Sequence, residues 1–285
     1  MSDLIANNLD HYCVFGNPVH HSKSPVIHAM FAQQTGQNID YHTRLAPLDG
    51  FVEAVRTFIA EGGQGANVTV PFKLEAFALA HQLSERASMA GAVNTLHFVD
   101  GKIIADNTDG VGLVRDITCN AATPIRDKRV LLLGAGGAAR GALLPLLQEL
   151  PAVLTIANRT LSKAQELQKL AQTFTSCEVD AVTWQQLEEE STQSFDVIIN
   201  ATSASLQSEV PPIPAHVFGP ESLAYDMMYG DTVTSFNQYA QQCGAKTRDG
   251  LGMLIEQAAE AFFIWRGVRP NTAEVLAHFQ KKGSA

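Results

Sequence analysis

The chain has 285 residues, 46% of them hydrophobic, and a formal net charge of −9 at pH 7. This length and apolar content allow about two domains with a core each. The acidic balance argues against nucleic acid or an anionic membrane surface as the main partner, and no apolar run is long enough for a membrane span. No basic stretch followed by an apolar core marks a secretory signal, so the expected location is the cytoplasm. Cys13, Cys119, Cys177 and Cys243 lack metal-ligand or redox spacing and read as reduced thiols. The nine histidines show no HExxH pattern, so no metal is expected.

In chain order, residues 12–16 form a short buried strand that Asn17-Pro18 turns into His20-His21-Ser22-Lys23-Ser24-Pro25. Ser24 before Pro25 has the pattern of a helix N-cap followed by proline at the first helical position. The cap does not account for Ser22, and two hydroxyls beside a helix start suit a carboxylate. Residues 41–45 give a second strand, 50–60 a helix and 65–70 a third strand, a βαβ pattern that leaves Lys73 at a strand's carboxyl end. Open α/β sheets bind ligands at that end. Two polar clusters, 91–96 and 105–110, flank a hairpin around Asp100-Gly101, and a helix over 113–119 leads out of this first region.

Residues 130–141 read as strand, phosphate loop and helix. Gly134 permits the tight turn, Gly136 lets backbone approach a pyrophosphate, and Ala139 allows close helix–strand packing. The next strand, 153–157, ends where a dinucleotide fold places its ribose-reading carboxylate, but this chain has Asn158-Arg159-Thr160 with Lys163 beyond. Cations and donors without an acid suit a 2′-phosphate, so the expected cofactor is NADP. Further strands follow at 178–182, 195–203, 223–229 and 245–248, with a helix over 161–174 and a proline-rich surface loop at 210–214. Helices over 253–265 and 272–280 end the chain.

Together, HSKSP (21–25), NVTVPFK (67–73), AGAVNT (90–95), NTDG (107–110), GAGGAAR (134–140), NRT (158–160), NATS (200–203), YDMMYG (225–230) and GLGMLIEQA (250–258) closely resemble the shikimate dehydrogenase family. The resemblance implies two α/β domains flanking a cleft, the second a Rossmann-type doubly wound parallel sheet. The expected boundaries are 1–113 for substrate binding and catalysis, 114–251 for NADP, and 252–285 for helices returning to the first domain. It implies NADPH-dependent reduction of 3-dehydroshikimate to shikimate by a monomer or homodimer.

By position, Ser22 and Ser24 match residues that hold the substrate carboxylate, with Tyr229. Thr69, Asn94, Asp109 and Gln257 match ligands of the ring hydroxyls, and Lys73 matches the acid/base lysine with Asp109 beside it. On the cofactor side, Gly134, Ala135, Gly136, Gly137 and Ala138 match the pyrophosphate loop. Asn158, Arg159, Thr160 and Lys163 match the adenosine phosphate site, Met227 and Gly250 the nicotinamide end, and Glu85 and Thr202 are further candidate contacts. The chain departs from the family after NATS, where Ala204-Ser205-Leu206 stands in place of the usual glycine and methionine, so a differently shaped loop is expected. The nearest rival is a quinate/shikimate dehydrogenase of broader specificity, which an acidic residue at 158–160 would have favoured. An idle NADP-binding regulator is disfavoured by retention of Lys73 and Asp109.

Overall fold

The computed structural model describes residues 9–189 and 193–282. They form two compact units, one of 9–108 with 258–279 and one of 109–257 with 280–282. In the first unit, β1 (Asp10–Gly16), α1 (Ser24–Thr35), β2 (Ile39–Leu45), α2 (Phe51–Ala60) and β3 (Gly63–Val68) make two parallel crossovers, with β1 between β2 and β3. Short elements α3 (Lys73–Leu79), β4 (Gln82–Leu83) and α4 (Glu85–Ala90) lead to the hairpin of β5 (Thr95–Val99) and β6 (Lys102–Asp106). The sheet order is β2-β1-β3-β5-β6-β4. Asp100 and Gly101 turn the hairpin at φ 48° and 72°, the paired positive values that match the twist of the flanking strands. Phe15, Phe51 and Phe72 are fully buried in the core of this unit, with Phe51 stacked on Phe72 at 4.9 Å.

The second unit opens with α5 (Asp109–Arg115), which runs into a π-helical turn over Asp116–Asn120. Then come β7 (Arg129–Leu133), α6 (Gly137–Gln148), β8 (Val153–Ala157), α7 (Leu161–Gln172), β9 (Glu178–Val182), α8 (Trp184–Leu187), β10 (Phe195–Asn200), β11 (Phe218–Asp226), α9 (Ser235–Gln242) and β12 (Lys246–Arg248). All six strands are parallel, in the order β12-β11-β10-β7-β8-β9. The winding reverses between β7 and β10, which is where such sheets open a crevice for ligand. The chain closes with α10 (Leu251–Arg266), which begins in the second unit and ends in the first, and α11 (Thr272–Lys282).

The division falls after Thr108, five residues before the expected 113/114 boundary. The reason is packing without side chains, since a Cβ on Gly110 would lie 2.3 Å from the Gly141 carbonyl and one on Gly112 2.6 Å from that of Met253. α5 is therefore pressed against α6 and α10 within the second unit. The same unit buries the Asp116 carboxylate completely, between two bonds of 2.6 Å from the Arg248 guanidinium and one of 2.7 Å from the Tyr225 phenol.

The expected Ser24 cap is corrected as well. α1 starts at Ser24 itself, with Lys23 in the cap position and no side-chain cap bond. Ser22 Oγ instead accepts from the Ser24 N–H at 3.3 Å.

His28, one turn into α1, is fully buried and stacked on Tyr41 at 4.1 Å between centroids. Burial pushes its pKa from 6.5 down to about 3, against the smaller opposing effect of the neighbouring Asn67. Between those values the unfolded chain binds the proton more tightly, so stability present above pH 6.5 is lost as pH falls toward 3. Urea unfolding of wild type and His28→Leu from pH 7 to 4 is expected to show a steeper acid loss in wild type. Parallel curves would remove His28 as the cause.

Candidate active site

The crevice of the second unit is a pocket of about 730 Å³. Its base is the β7–α6 turn. Gly134 takes φ 104°, its N–H donates to the Ala157 carbonyl at 2.8 Å, and its α-carbon approaches Thr202 so closely that a Cβ would sit 3.1 Å from Cγ2. At Gly136 and Gly137 a Cβ would meet no protein atom within 4 Å. Neither glycine is required by the fold there; what they leave open is space at the N-terminus of a twelve-residue helix, where unpaired N–H groups favour an anion.

Asn158, Arg159, Thr160 and Lys163 line the pocket at the end of β8 and the first turn of α7, with no acidic residue in that turn. Asn158 braces the turn by donating from Nδ2 to the Thr160 carbonyl at 2.9 Å, so the exposed Arg159 projects from a fixed loop. Thr202 is held by Asn200, whose Oδ1 accepts from Thr202 N at 3.1 Å and Oγ1 at 2.7 Å. The pocket thus gathers eight of the expected cofactor residues: Gly134, Ala135, Gly136, Asn158, Arg159, Thr160, Lys163 and Thr202. Gly137 and Ala138 open α6 beside it.

Sequence reasoning missed part of this wall. Trp184, at the start of α8, lines the pocket, and the turn-then-helix rule at the end of β9 could have located it. Val210, Pro211 and Pro212 also line it, so the proline-rich stretch read as surface loop is a pocket wall. Residues 204–206, expected to reshape their loop, lie in a single 3₁₀ turn, Ala204–Gln207, closed by Ser208 at φ 57°.

Met227 and Gly250 meet at the ends of β11 and β12. The Gly250 N–H donates to the Met228 carbonyl at 3.1 Å, and a Cβ there would fall 2.3 Å from the Met227 carbonyl. Tyr229 is 40% exposed, and burial of the rest raises its phenol pKa, with Asp249 adding to the shift. Gln257, in the second-unit part of α10, donates to the Leu254 carbonyl of its own helix at 2.8 Å. Glu85 lies in the first unit, exposed at the start of α4.

The first unit collects its own polar group at the carboxyl ends of β1 and β3. Asn94 is 3% exposed; its Oδ1 accepts from Thr108 N at 2.9 Å and from Thr95 Oγ1 at 2.8 Å, and its Nδ2 donates to Thr108 Oγ1 at 3.0 Å. Asn67 extends the network, donating to Thr95 Oγ1 and accepting from the Tyr41 phenol at 2.7 Å. Lys73 starts α3, five residues beyond the end of β3, and its carbonyl accepts from the Val93 N–H at 3.0 Å, which ties the lysine's backbone to the segment carrying Asn94. Thr69 is fixed by a 2.9 Å bond from its N–H to the Phe15 carbonyl. Asp109 follows Thr108 directly as the first residue of α5.

A doubly wound parallel sheet with a glycine turn, an open helix N-terminus and a β8–α7 turn that carries cations and no acid defines a Rossmann-type NADP-dependent oxidoreductase. Three family models match the chain: a shikimate dehydrogenase substrate-binding domain over residues 14–96, shikimate/quinate 5-dehydrogenase over 117–208, and a shikimate 5′-dehydrogenase C-terminal domain over 250–278. The chain belongs to the shikimate dehydrogenase family. It is 57% identical to the shikimate dehydrogenase (NADP(+)) of Janthinobacterium sp. (strain Marseille), over 98% of this chain and all of that one. Among solved structures it resembles an Ael1 enzyme from Pseudomonas putida, with TM-score 0.88, 49% identity, and 94% and 97% of the two chains covered. It also resembles the Thermus thermophilus shikimate 5-dehydrogenase in complex with NADP(H) and shikimate, with TM-score 0.82, 29% identity, and 96% and 99% covered.

The open space at Gly136 separates folding from binding. Gly136→Val is expected to keep the thermal midpoint of wild type and to lose NADP affinity in titration calorimetry, because its side chain enters the pocket rather than the core. Retained affinity would show that no pyrophosphate lies there. Arg159→Ala is expected to weaken NADP by about tenfold to a hundredfold and NAD much less, the range for one charge-assisted hydrogen bond.

Proposed function

We propose that this chain catalyses the reversible NADPH-dependent reduction of 3-dehydroshikimate to shikimate, the reaction of the shikimate pathway that leads to chorismate and the aromatic amino acids. The observation that carries the cofactor choice is the Asn158-Arg159-Thr160 turn with Lys163 and no acid in the first turn of α7. End-to-end identity of 57% to a shikimate dehydrogenase (NADP(+)) supports the substrate. The four cysteines are free, and among the described residues no helix is long and apolar enough to cross a membrane; both facts support a cytoplasmic enzyme.

In this reading NADPH supplies the hydride, and the chain supplies position and a proton. Reduction of the ketone leaves negative charge on its oxygen, and Lys73 delivers the proton there. Asp109 orients the lysine and accepts from a ring hydroxyl. Ser22 and Ser24 hold the substrate carboxylate at the start of α1, where helix N–H groups already favour an anion. Thr69 and Asn94 take ring hydroxyls, and the bonds that fix Asn94 to Thr108 and Thr95 set its amide before substrate arrives. Tyr229 and Gln257 are assigned to the carboxylate and the ring respectively.

The test is absorbance at the reduced-nicotinamide band with shikimate plus NADP, against quinate and NAD in parallel. Activity is expected on the first pair; equal rates with quinate and NAD would replace this reading by the broader one. Ser22→Ala should raise the KM for shikimate with the fold intact. Lys73→Ala should lower kcat by roughly 10²–10⁴ without changing NADP affinity, as expected of a positioned acid/base. If Lys73 and Asp109 act as one unit, the double alanine variant loses little more than Lys73→Ala, whereas multiplying losses assign them separate tasks.

A further inference from the structure

β10 and β11 end side by side in a buried network built around the carboxylate of Asp226, which is fully inaccessible. Its Oδ1 accepts from Asn200 Nδ2 at 3.2 Å and from Met228 N at 3.1 Å. Its Oδ2 accepts from Ser205 Oγ at 2.6 Å, the only bond to that oxygen among the described residues. No lysine, arginine or histidine pairs with this carboxylate among the described residues; its bonded partners are neutral donors.

Two of the three partners of Asp226, Asn200 and Met228, lead on to expected cofactor residues. Asn200, itself inaccessible, uses its amide oxygen to hold Thr202, a pocket residue, and Thr202 Oγ1 in turn accepts from the N–H of Ala204, another. On the other side, the Met228 N–H fixes the backbone that receives the Gly250 N–H. Ser205 lies in the 3₁₀ turn between these pocket residues and Gln207, which also lines the wall. Its Oγ closes this turn onto the end of β11 through Asp226 and also accepts from Asn200 Nδ2, at the end of β10, at 3.4 Å.

We infer that Ser205 is a positioning residue for the cofactor, its hydroxyl locking the 202–207 turn to Asp226 so that the pocket wall and the Met227–Met228 backbone are set before dinucleotide binds. A wall held in its binding geometry loses less conformational freedom on binding. Without the hydroxyl, Oδ2 of a buried carboxylate has no donor, which costs more than an ordinary lost hydrogen bond. The turn then shifts to bring water or another donor to that oxygen, and the wall moves with it. The inference rests on the assignment of this pocket to NADP.

The experiment compares wild type, Ser205→Ala and Ser205→Thr by steady-state kinetics, NADP calorimetry and thermal unfolding. Ser205→Ala is expected to raise the KM and Kd for NADP by roughly 3- to 20-fold, part of the worth of a hydrogen bond to a charged group. Its kcat at saturating NADP and its KM for shikimate should stay within twofold of wild type, and Ser205→Thr, which keeps the hydroxyl, should recover most of the NADP affinity. Unchanged NADP affinity in Ser205→Ala overturns the inference. So does a parallel loss of kcat, both KM values and thermal midpoint, or a threonine variant as weak as the alanine one. If Ser205→Ala yields no folded protein, Ser205→Cys, near in size and weak as a donor, takes its place with the same expected split. Wild type that fails to oxidise shikimate with NADP would instead overturn the functional reading on which this one stands.

Discussion

The end of β7 is pinned from both sides, and the chemistry of the second unit depends on that pinning. Gly134 donates to the Ala157 carbonyl at 2.8 Å, and the Ala201 N–H donates to the Leu133 carbonyl at 2.9 Å. These bonds hold the ends of β8 and β10 level with that of the central strand. A positive φ at Gly134 then turns the chain into α6 within three residues. The open N-terminus of α6, Arg159 and Thr202 follow the ends of β7, β8 and β10, the three strands that those two bonds hold level. The sheet acts as a ruler, and the loops carry the chemistry at its marks.

The first unit solves a different problem, that of offering several polar groups from a sheet whose interior is aromatic. Its solution is saturation. Tyr41, Asn67, Thr95, Asn94 and Thr108 bond one another in a continuous buried chain. A polar group inside a protein is costly only when a bond is missing, and a satisfied network fixes its members in one geometry. Asn94 is accordingly presented in a single orientation next to the backbone of Lys73, while phenylalanine packing below keeps the strand ends rigid.

Much of this was legible in the residues. The glycine turn, the acid-free end of β8, the hairpin at Asp100-Gly101 and the alternation of strand and helix in the second unit all follow from local chemistry that tertiary context does not override. Where reading failed, a long-range contact decided the outcome. Nothing local says that Gly110 and Gly112 press against α6 and α10, so the unit boundary was placed at 113 rather than 108. Ser24 before Pro25 has the pattern of a cap, but the helix gains a further residue because Ser22 accepts the Ser24 N–H. Val210 to Pro212 have the composition of a surface loop, and only their place in the pocket that Trp184 also lines makes them a wall. The candidate site was legible as a set of residues; the fixed geometry of Asn94 and Thr202 lies in partners, Thr108 and Asn200, that carry no motif meaning of their own.

The route of α10 has a consequence for the order in which the molecule is made. Trp265 stacks on Tyr12 at 4.7 Å and donates from its indole to the Leu96 carbonyl at 2.9 Å, and Phe262 packs on Phe31 at 5.8 Å. These rings close a core whose other side consists of residues near the start of the chain. On a ribosome, residues 9–108 emerge first yet wait for the segment from 258 onward to cover them, while the continuous stretch 109–257 has all its strands in hand before then. The part synthesised first is thus the part completed last. Its apolar face on β1 and α1 lacks this cover for the whole time needed to translate the second unit.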